Sequence, residues 1–599
     1  RDISYAHLIE ASTEVAAGLA EAGLRRNEAV AIMLPTSEDF FYAFFGVAVA
    51  GGIAVPIYPP ARPDEIEEYV RRQVQILQNA EVRVLIAFER VKAVSQVMRL
   101  GLPSLEEVTT VAALREGGAG RAAPSTEPAD TFLVQYTSGS TGLPKGVYLT
   151  HANLLANIRA LVQGLEMGSD DIGISWLPLY HDMGLIGAWL GTFYVGAPLV
   201  LMSPLAFLAR PVRWLQAFDQ HHGTIAAAPN FAYDLCTTRI TDAELDGLNL
   251  SSARVLLNGA ETVSPDTLSR FFDRFEPYGL QRSALCPVYG LAECSVGLAA
   301  PVVGTPPRID AVRRATFQET GEAAPAAVDD ESALRFVSCG HALPNHELIV
   351  IDESGGRAPE RRQGQIRFRG PSATAGYYRN EEATRTLIGD DGWLSTGDLG
   401  YIADGDLFIT GRAKDLIIKG GRNLYPHEAE AVVGAVDGVR TGCVAAFGVV
   451  DEARGTEQFV VVAETRVTEA DARDALQRAI SNEVTNALGV APDRVVLAPA
   501  GAVSKTSSGK IRRAATRDAL LSGKLEKGPA GTAGQWFRLA TTVAGALVAS
   551  WASRLARLIY TAYVMTVILI TGVVTLTVMA VGPRGRWIDR LVGRWTRLI

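Results

Sequence analysis

Cysteine, histidine and excess positive charge are all scarce in this 599-residue chain, and each scarcity weighs against a class of function. The five cysteines show no metal-binding or redox spacing, so we expect small buried residues in a reducing compartment. The eight histidines form no zinc-protease pattern, and a net charge of −8 does not suggest a nucleic-acid partner. Length is ample, because 599 residues predict three or more domains.

Apolar periodicity alternates between helix and strand near the start of the chain. Residues 4–24 and 37–50 have helical spacing, with Ser37 as a possible N-cap. Ala29–Leu34 and Val82–Ala87 have the character of strands. This alternation predicts an α/β domain with a largely parallel sheet.

The most informative stretch runs from Tyr136 to Thr150, between an apolar strand and a helical pattern that starts at His151. Glycines let backbone N–H groups approach a phosphate, hydroxyls add donors and lysine adds a mobile positive charge. The order of strand, loop and helix predicts a phosphate-binding loop, although the spacing differs from that of nucleotide hydrolases. A Ser/Gly linker is the alternative. The candidate positions are Thr137, Ser138, Gly139, Ser140, Thr141, Gly142 and Lys145.

Later segments carry further candidates. His181 stands beside Asp182 in a Gly-rich apolar stretch, where a core histidine and a functional one are equally plausible. Tyr289 and Glu293 lie four positions apart around Gly290. An aromatic ring can stack on a base, and a carboxylate can hold Mg²⁺ against phosphates. The segment Asn258, Gly259, Ala260 and Glu261 follows a predicted strand.

Three charged residues complete the set. Asp398 could bind two ribose hydroxyls and Arg412 could reach the ribose or a phosphate, although a turn aspartate and a solvated arginine are the alternatives. Residues 416–520 predict a separate α+β domain that ends in a basic cluster. Lys510 follows a glycine there, so it is either a movable charge for a reacting phosphate or part of a solvated patch.

Apolar segments broken by proline lie at 202–207 and 228–234. They could form the wall of a hydrophobic tunnel, but their composition favours core.

Taken in order, these segments from about residue 2 to residue 520 resemble the adenylate-forming superfamily, which includes acyl-CoA synthetases, luciferases and peptide-synthetase adenylation domains. The runs at 176–187, 203–207, 229–236 and 421–426 are similar to those of fatty acyl-AMP ligases. An unusually long interval between Glu293 and Gly340 also agrees, with its excess within 304–335, where that branch carries a segment restraining the small domain.

The resemblance implies a role for each candidate. The loop from Thr137 to Lys145 would bind the β- and γ-phosphates. Tyr289, beside Gly290 and the 258–261 segment, would stack on adenine. Glu293 would carry Mg²⁺. The remaining implied roles are ribose binding for Asp398, ribose–phosphate contact for Arg412, a hinge at Lys414, catalysis by Lys510 and a place beside the acyl carboxylate for His181.

The implied domains are an adenylation domain at 1–411, a mobile subdomain at 412–520 and a linker at 521–535. The implied reaction is ATP- and Mg²⁺-dependent activation of a medium- or long-chain fatty acid to acyl-AMP, with release of pyrophosphate. Transfer to the phosphopantetheine of an acyl carrier protein would follow. An acyl-CoA synthetase using free CoA is the alternative, and a catalytically silent membrane scaffold is the alternative from another class.

The C-terminal segment 536–599 differs from the rest of the chain. It has eight arginines and one aspartate, a net charge of +7, which leaves −15 for the residues before it. Leu558–Val581 runs 24 residues without a charge, enough to cross a hydrocarbon core of roughly 30 Å. Because arginines lie on both sides, the positive-inside rule selects no single crossing. A re-entrant helical pair, or two segments lying in one leaflet, would keep both flanks cytoplasmic with the ATP site, and a buried soluble helix is the alternative. The segment faintly resembles the start of phospholipid-type acyltransferases, so a downstream acyltransferase is a further expectation.

Overall fold

The strand β1 (Ala29–Met33) shows why the chain builds layers. Val30 and Ile32 pack into one apolar cluster, whereas Ala31 and Met33 pack into another, so both faces of the strand are buried. A strand buried on both faces needs cover on each side, as in helix-flanked parallel sheets. The α/β organisation expected from the sequence is confirmed.

The structure is a computed structural model. It describes residues 2–60, 66–91, 99, 102–117, 126–137, 144–327, 329–419, 422–451, 456–506, 509–525, 559–574, 576–577 and 580–581.

The first sheet also contains β2 (Ile53–Pro56), β3 (Val84–Ala87), β4 (Glu107–Thr109), β5 (Thr131–Thr137) and β6 (Lys145–Thr150). Its order is β4-β3-β1-β2-β5-β6, and only the β5–β6 pair is antiparallel among the described strands. The helices are α1 (Tyr5–Glu21), α2 (Glu38–Val49), α3 (Ile66–Asn79), α4 (Val111–Gly117) and α5 (His151–Gly164). Ser37 precedes α2 as expected, but its hydroxyl donates to the Pro35 carbonyl at 3.2 Å and does not cap the helix.

The second sheet is parallel throughout its described strands. They are β7 (Gly173–Ser175), β8 (Leu199–Leu201), β9 (Ile225–Ala228), β10 (Val255–Asn258) and β11 (Leu285–Pro287). Their order is β11-β10-β9-β7-β8. A π-helix (Met183–Leu190) is followed by α6 (Gly191–Val195), α7 (Pro204–Ala209), α8 (Val212–His221), α9 (Asn230–Arg239) and α10 (Pro265–Phe275).

Antiparallel strands complete the large domain. They are β12 (Ala299–Ala300), β13 (Ile309–Val312), β14 (Leu334–Val337), β15 (His341–Ala342), β16 (Glu347–Ile351), β17 (Gly364–Arg369), β18 (Leu394–Ala403) and β19 (Asp406–Arg412). β12 pairs with β15 and β13 with β14, while β16 to β19 form a sheet in chain order. The helices α11 (Arg314–Thr320) and α12 (Glu381–Leu387) lie between these strands in the sequence.

A smaller unit follows and has a core of its own. Its strands are β20 (Ile417–Lys419), β21 (Arg422–Leu424), β22 (Val439–Asp451), β23 (Thr456–Thr465) and β24 (Arg494–Ala498), and its helices are α13 (Pro426–Gly434), α14 (Ala470–Leu488) and α15 (Arg513–Leu521). Phe459, Val461, Ile480 and Val484 are fully buried together. The expected small α+β domain is therefore present.

The apolar C-terminal segment lies partly outside the described residues. Residues 559–574 are helical, and most of their large apolar side chains are exposed, including Leu569 and Ile570. Within the described ranges, no helix combines the length and apolarity that a membrane crossing requires.

Candidate active site

The predicted phosphate loop joins two antiparallel strands. Thr137 ends β5, Lys145 begins β6, and the two residues pair across the ladder. The expected order of strand, loop and helix is therefore wrong, because Val147 and Leu149 are buried while Tyr148 is less so, which is the period of a strand. Residues 138–143 lie outside the described residues. They include the predicted positions Ser138, Gly139, Ser140, Thr141 and Gly142.

Other candidate residues lie where parallel strands of the second sheet end. β10 ends at Asn258, β11 ends two residues before Tyr289, and β7 ends before the segment that carries His181. Because the carboxyl ends of parallel strands share one edge of a sheet, these segments meet there.

A polar group joins the buried residues Asp398 and Tyr289 to the exposed Arg412. Asp398 and Arg412 stand opposite each other on β18 and β19, with Arg412 Nε 3.3 Å from Asp398 Oδ1. The Tyr289 hydroxyl donates to Asp398 Oδ2 at 2.7 Å. Asp398 raises the pKa of Arg412, and burial raises the pKa of Tyr289, so the phenol stays a neutral donor. The carboxylate is thus held by both partners before any nucleotide arrives.

The 258–261 segment and Gly290 allow close approach of the backbone. A Cβ at Gly290 would lie 1.8 Å from the Val296 carbonyl oxygen, so only glycine fits. Ala260 has a positive φ of 70°, which turns the chain sharply after β10. Asn258 is buried, and its Oδ1 has no hydrogen-bond partner among the described residues. A buried acceptor of this kind suits a ligand that brings its own N–H donor.

Glu261 supports the site from within the protein. Its Oε1 accepts a hydrogen bond from the Phe231 N–H at 2.6 Å, at the start of α9. Burial raises the pKa of Glu261, although Lys510 acts in the opposite direction. The carboxylate therefore faces the lysine that comes from the small domain.

The Glu293 side chain is hydrogen-bonded to a tyrosine that the sequence did not single out as a candidate. The Tyr377 hydroxyl donates to Glu293 Oε1 at 2.6 Å, and Lys145 Nζ lies 4.9 Å from the centre of the same ring. Burial raises the pKa of Glu293. In the sequence, Gly376 before two tyrosines is the one weak signal of such a role.

His181 and Asp182 form a pair at the start of the π-helix. His181 Nδ1 lies 2.6 Å from Asp182 Oδ1, and Asp182 accepts from the Met183 N–H at 2.7 Å. Burial alone would raise the pKa of Asp182, but His181 and Lys510 outweigh it and lower that pKa. A π-helical turn is frequent at functional sites. Here it follows the His181–Asp182 pair, and Asp182 interacts electrostatically with Lys510.

The small domain delivers Lys510 into this group of charges. Asp182, Glu261 and Asp398 attract its ammonium and Arg412 repels it, while burial lowers its pKa. The Lys510 N–H donates to Thr506 Oγ1 at 3.0 Å, and the Thr506 N–H donates back to the Lys510 carbonyl at 2.8 Å. The turn is thus closed on itself.

The turn that carries Lys510 fits closely against the large domain. Gly509 has a φ of +87°, and a Cβ there would lie 3.4 Å from the Phe231 ring. The Ser504 N–H donates to Thr516 Oγ1 at 3.1 Å.

The predicted hinge is tied to the lysine turn. Asp415, next to Lys414, lies 2.7 Å from Arg513, which also forms a 2.7 Å pair with Glu430. Burial alone would lower the pKa of Arg513, but Glu430 and Asp415 raise it, so the guanidinium stays charged. Arg513 follows Lys510 by three positions, and these ion pairs couple the turn to the chain beside Lys414.

The small domain also meets the segment expected to restrain it. Arg314 of α11 lies 3.0 Å from Glu428 of α13, and the rings of Phe317 and Tyr425 lie 5.9 Å apart. Tyr425 is 1% exposed and accepts from Gln363 Nε2 at 2.8 Å. The interval at 304–335 therefore contacts the small domain, as the sequence led us to expect.

The two apolar segments divide between core and cleft. Phe207 stacks on Trp176 at 4.0 Å and is fully buried, as is Tyr233. Phe231 instead faces the cleft, where Asn230 accompanies it. Composition had favoured core, which is correct for Phe207 and Tyr233.

A cleft of about 2550 Å³ lies between the domains. It is lined by the candidates Ala260, Glu261, Tyr289, Gly290, Asp398, Arg412 and Lys510. Thr137, Lys145, His181, Asn258, Gly259, Glu293 and Lys414 do not line it directly. Glu293 is nevertheless close enough to act electrostatically on Arg412 and Asp182. Acidic and basic groups from both domains thus surround one centre, which suits chemistry on a polyphosphate.

This fold and site define the adenylate-forming class. The family model described as AMP-binding enzyme matches residues 1–378, and the chain belongs to that family.

The chain is similar to particular proteins of known sequence and to a solved structure. A putative acyl-CoA synthetase of Caulobacter vibrioides is 35% identical over 523 residues, covering 87% of this chain and 91% of the relative. The medium-chain-fatty-acid–[acyl-carrier-protein] ligase JamA of Moorena producens is 33% identical over 542 residues, covering 88% and 91%. A solved structure from a study of fatty acyl-adenylate ligases of E. coli and L. pneumophila matches with a TM-score of 0.82 and 30% identity, covering 87% of this chain and 93% of that one.

Proposed function

We propose that this chain activates a medium- or long-chain fatty acid with ATP, forming acyl-AMP and pyrophosphate, and passes the acyl group to the phosphopantetheine thiol of a carrier protein. The observation that carries the proposal is the position of Lys510, which lines one cleft together with Glu261 and Asp398 of the large domain and interacts electrostatically with Asp182. The JamA and fatty acyl-adenylate ligase relatives support the substrate class.

The chemistry requires this convergence. An oxygen of the fatty acid carboxylate forms a bond to the α-phosphorus as the bond from that phosphorus to pyrophosphate breaks. Two anions must therefore meet, and positive groups have to offset their repulsion. Lys510 would contact the reacting phosphate, Lys145 the departing pyrophosphate, and His181 the acyl carboxylate. Asp398 and Arg412 would hold the ribose side, with adenine against Tyr289 and the 258–261 segment.

The residues present fit ATP with Mg²⁺. In the described residues, no group of three or more His, Cys, Asp or Glu side chains could hold a metal ion. Mg²⁺ is commonly bound by one or two carboxylates together with substrate phosphates, so Glu293 alone suffices when ATP is present. When bound, the ion neutralises charge on the phosphates. The orphaned Asn258 Oδ1 suits the base.

The second step needs a thiol at the acyl carbon, which would lie next to the phosphate that Lys510 contacts in the first step. We propose that the subdomain at 412–520 rotates about Lys414 against the body at 1–411, with 521–535 as linker. Arg314 and Tyr425 would hold it in the arrangement seen here. Free CoA is the alternative acceptor, favoured by the name of the Caulobacter relative.

Mass spectrometry of the products tests the whole proposal. The enzyme would receive ATP, a ladder of fatty acids, free CoA and a holo carrier protein. Acyl-carrier product with little acyl-CoA is expected, whereas efficient acyl-CoA formation would reverse the choice of acceptor. Absence of pyrophosphate release with every acid would favour a silent scaffold.

The C-terminal segment 536–599 is proposed to attach the enzyme to the inner face of the membrane. Its support is the 24-residue uncharged run with flanking arginines and the exposed apolar side chains along residues 559–574. Delivery of acyl groups to a downstream phospholipid-type acyltransferase would suit this placement. Co-sedimentation with anionic vesicles that is lost when residues 536–599 are removed is the expected result, and equal sedimentation without them would refute it.

A further inference from the structure

Tyr377 contacts both charged groups on the phosphate side of the site. Its hydroxyl donates to Glu293 Oε1 at 2.6 Å, and its ring faces Lys145 Nζ at 4.9 Å from the centroid. One side chain thus touches the carboxylate suited to the metal and the ammonium suited to the pyrophosphate. None of the roles proposed above uses it.

The backbone around Tyr377 is fastened to both neighbours. Tyr377 forms a β-bridge with Val147, two positions after Lys145. The Thr374 N–H donates to the Glu293 carbonyl at 2.8 Å, and its hydroxyl donates to the Tyr148 carbonyl at 2.6 Å. The segment therefore spans the strand that carries Lys145 and the turn that carries Glu293.

The same segment cannot shift easily. Gly376 has a φ of +146°, and a Cβ there would lie 2.5 Å from Thr384 Cγ2. The Tyr377 N–H donates to Thr384 Oγ1 at 2.9 Å. The ring position is thus set by packing and by main-chain hydrogen bonds, without help from a ligand.

We propose that Tyr377 is a positioning residue that presents Glu293 to the metal and Lys145 to the pyrophosphate. The inference rests on the proposed function. A neutral phenol bonded to one carboxylate oxygen leaves the other oxygen for a cation, while the face of its ring holds the ammonium.

Two substitutions separate the two contacts. Tyr377→Phe keeps the ring and removes the donor, while Tyr377→Leu removes both. Tyr378→Phe is the matched control, since the neighbouring ring packs edge-on against Tyr148 at 6.2 Å. Thermal melting of each variant checks that it folds. If Tyr377→Leu does not fold, Tyr377→Phe alone tests the proposal.

The primary measurement is binding of Mn²⁺, followed by electron paramagnetic resonance in the presence of α,β-methylene-ATP. Tyr377→Phe should bind Mn²⁺ about tenfold more weakly, the effect of losing a hydrogen bond to a charged group. Its affinity for the analogue without metal should stay unchanged. Adenylation by this variant should need correspondingly more Mg²⁺ and recover most of its kcat at saturation. Tyr377→Leu should in addition raise the inhibition constant of pyrophosphate about fivefold, as expected from a lost cation–π contact.

Wild-type Mn²⁺ affinity in both Tyr377 variants would overturn the proposal. The proposal would also be overturned if the variants lost as much affinity for the metal-free nucleotide as for Mn²⁺ and melted at a lower temperature. Such a result would show a merely structural role. Failure of the proposed function is distinguishable: the wild-type enzyme would then release no pyrophosphate with any fatty acid, while its Mn²⁺ affinity would still report on Tyr377.

Discussion

The site has two halves that are built differently. The nucleotide half centres on Asp398 of the large domain, which accepts a hydrogen bond from Tyr289 and pairs with Arg412 on the adjacent strand, at the proposed domain boundary. The other half is Lys510, which a closed turn brings from the small domain. The first half is organised before substrate arrives, whereas the second depends on how the domains meet. Binding and chemistry should therefore respond to different substitutions.

The largest effect is expected from Lys510→Ala. Removing a preorganised positive charge from the reacting phosphate should lower acyl-AMP formation by about 10²- to 10³-fold. Transfer of the acyl group from supplied acyl-AMP to the carrier should remain, because that step needs no charge on pyrophosphate. Lys505→Ala is the control, because Lys505 lies in the same segment as Lys510 but its ammonium is 3.4 Å from Cys443 Sγ. Near-normal pyrophosphate release by Lys510→Ala would contradict the assignment.

Asp398→Asn should act on binding more than on the chemical step. The carboxylate is 8% exposed and held by two partners, so loss of its charge weakens both the Arg412 pair and a ribose contact. We expect the KM for ATP to rise about tenfold with a smaller change in kcat. Steady-state kinetics with varied ATP measures the two separately, and a fall confined to kcat would count against a binding role.

The pH dependence of adenylation should report the loss of a proton from the Lys510 ammonium. Burial lowers its pKa, so the ammonium loses its proton at a lower pH than an ordinary lysine, and the rate should fall on the alkaline side. Asp182 acts to raise that pKa, so Asp182→Asn should move the alkaline limb to still lower pH. Lys510→Arg should remove the limb, because arginine stays protonated. An unchanged alkaline limb in Lys510→Arg would assign it to another group.

The smallest effect is expected at the rim of the domain contact. Arg512 of the small domain lies 3.1 Å from Glu68 of the large domain, and the Glu68 side chain is 71% exposed. Exposed pairs contribute about 0–1 kcal/mol, so Arg512→Glu should slow adenylation less than about fivefold. The double variant with Glu68→Arg should restore the rate at low salt. An adenylation rate that is the same in the single and double variants as in the wild type would show that this pair does not help to hold the domains together.

Much of the fold could be predicted because its elements have clear periods. β1 and α14 fall close to their expected positions, since apolar residues at spacings of two and of three to four require buried faces. β6 was missed because glycine and proline around Lys145 obscure its alternation. The bond between Tyr377 and Glu293 could not be predicted, since it joins positions 84 residues apart and depends on tertiary packing.

The central claim is that one protein alternates between the arrangement seen here and a second that admits the thiol. The most direct measurement joins Glu68→Cys to Arg512→Cys with a short reducible bismaleimide, the five native cysteines being buried. The cross-linked enzyme should make acyl-AMP in a single turnover but transfer it to the holo carrier protein only after reduction. Transfer at the full rate while the domains are joined would contradict the claim.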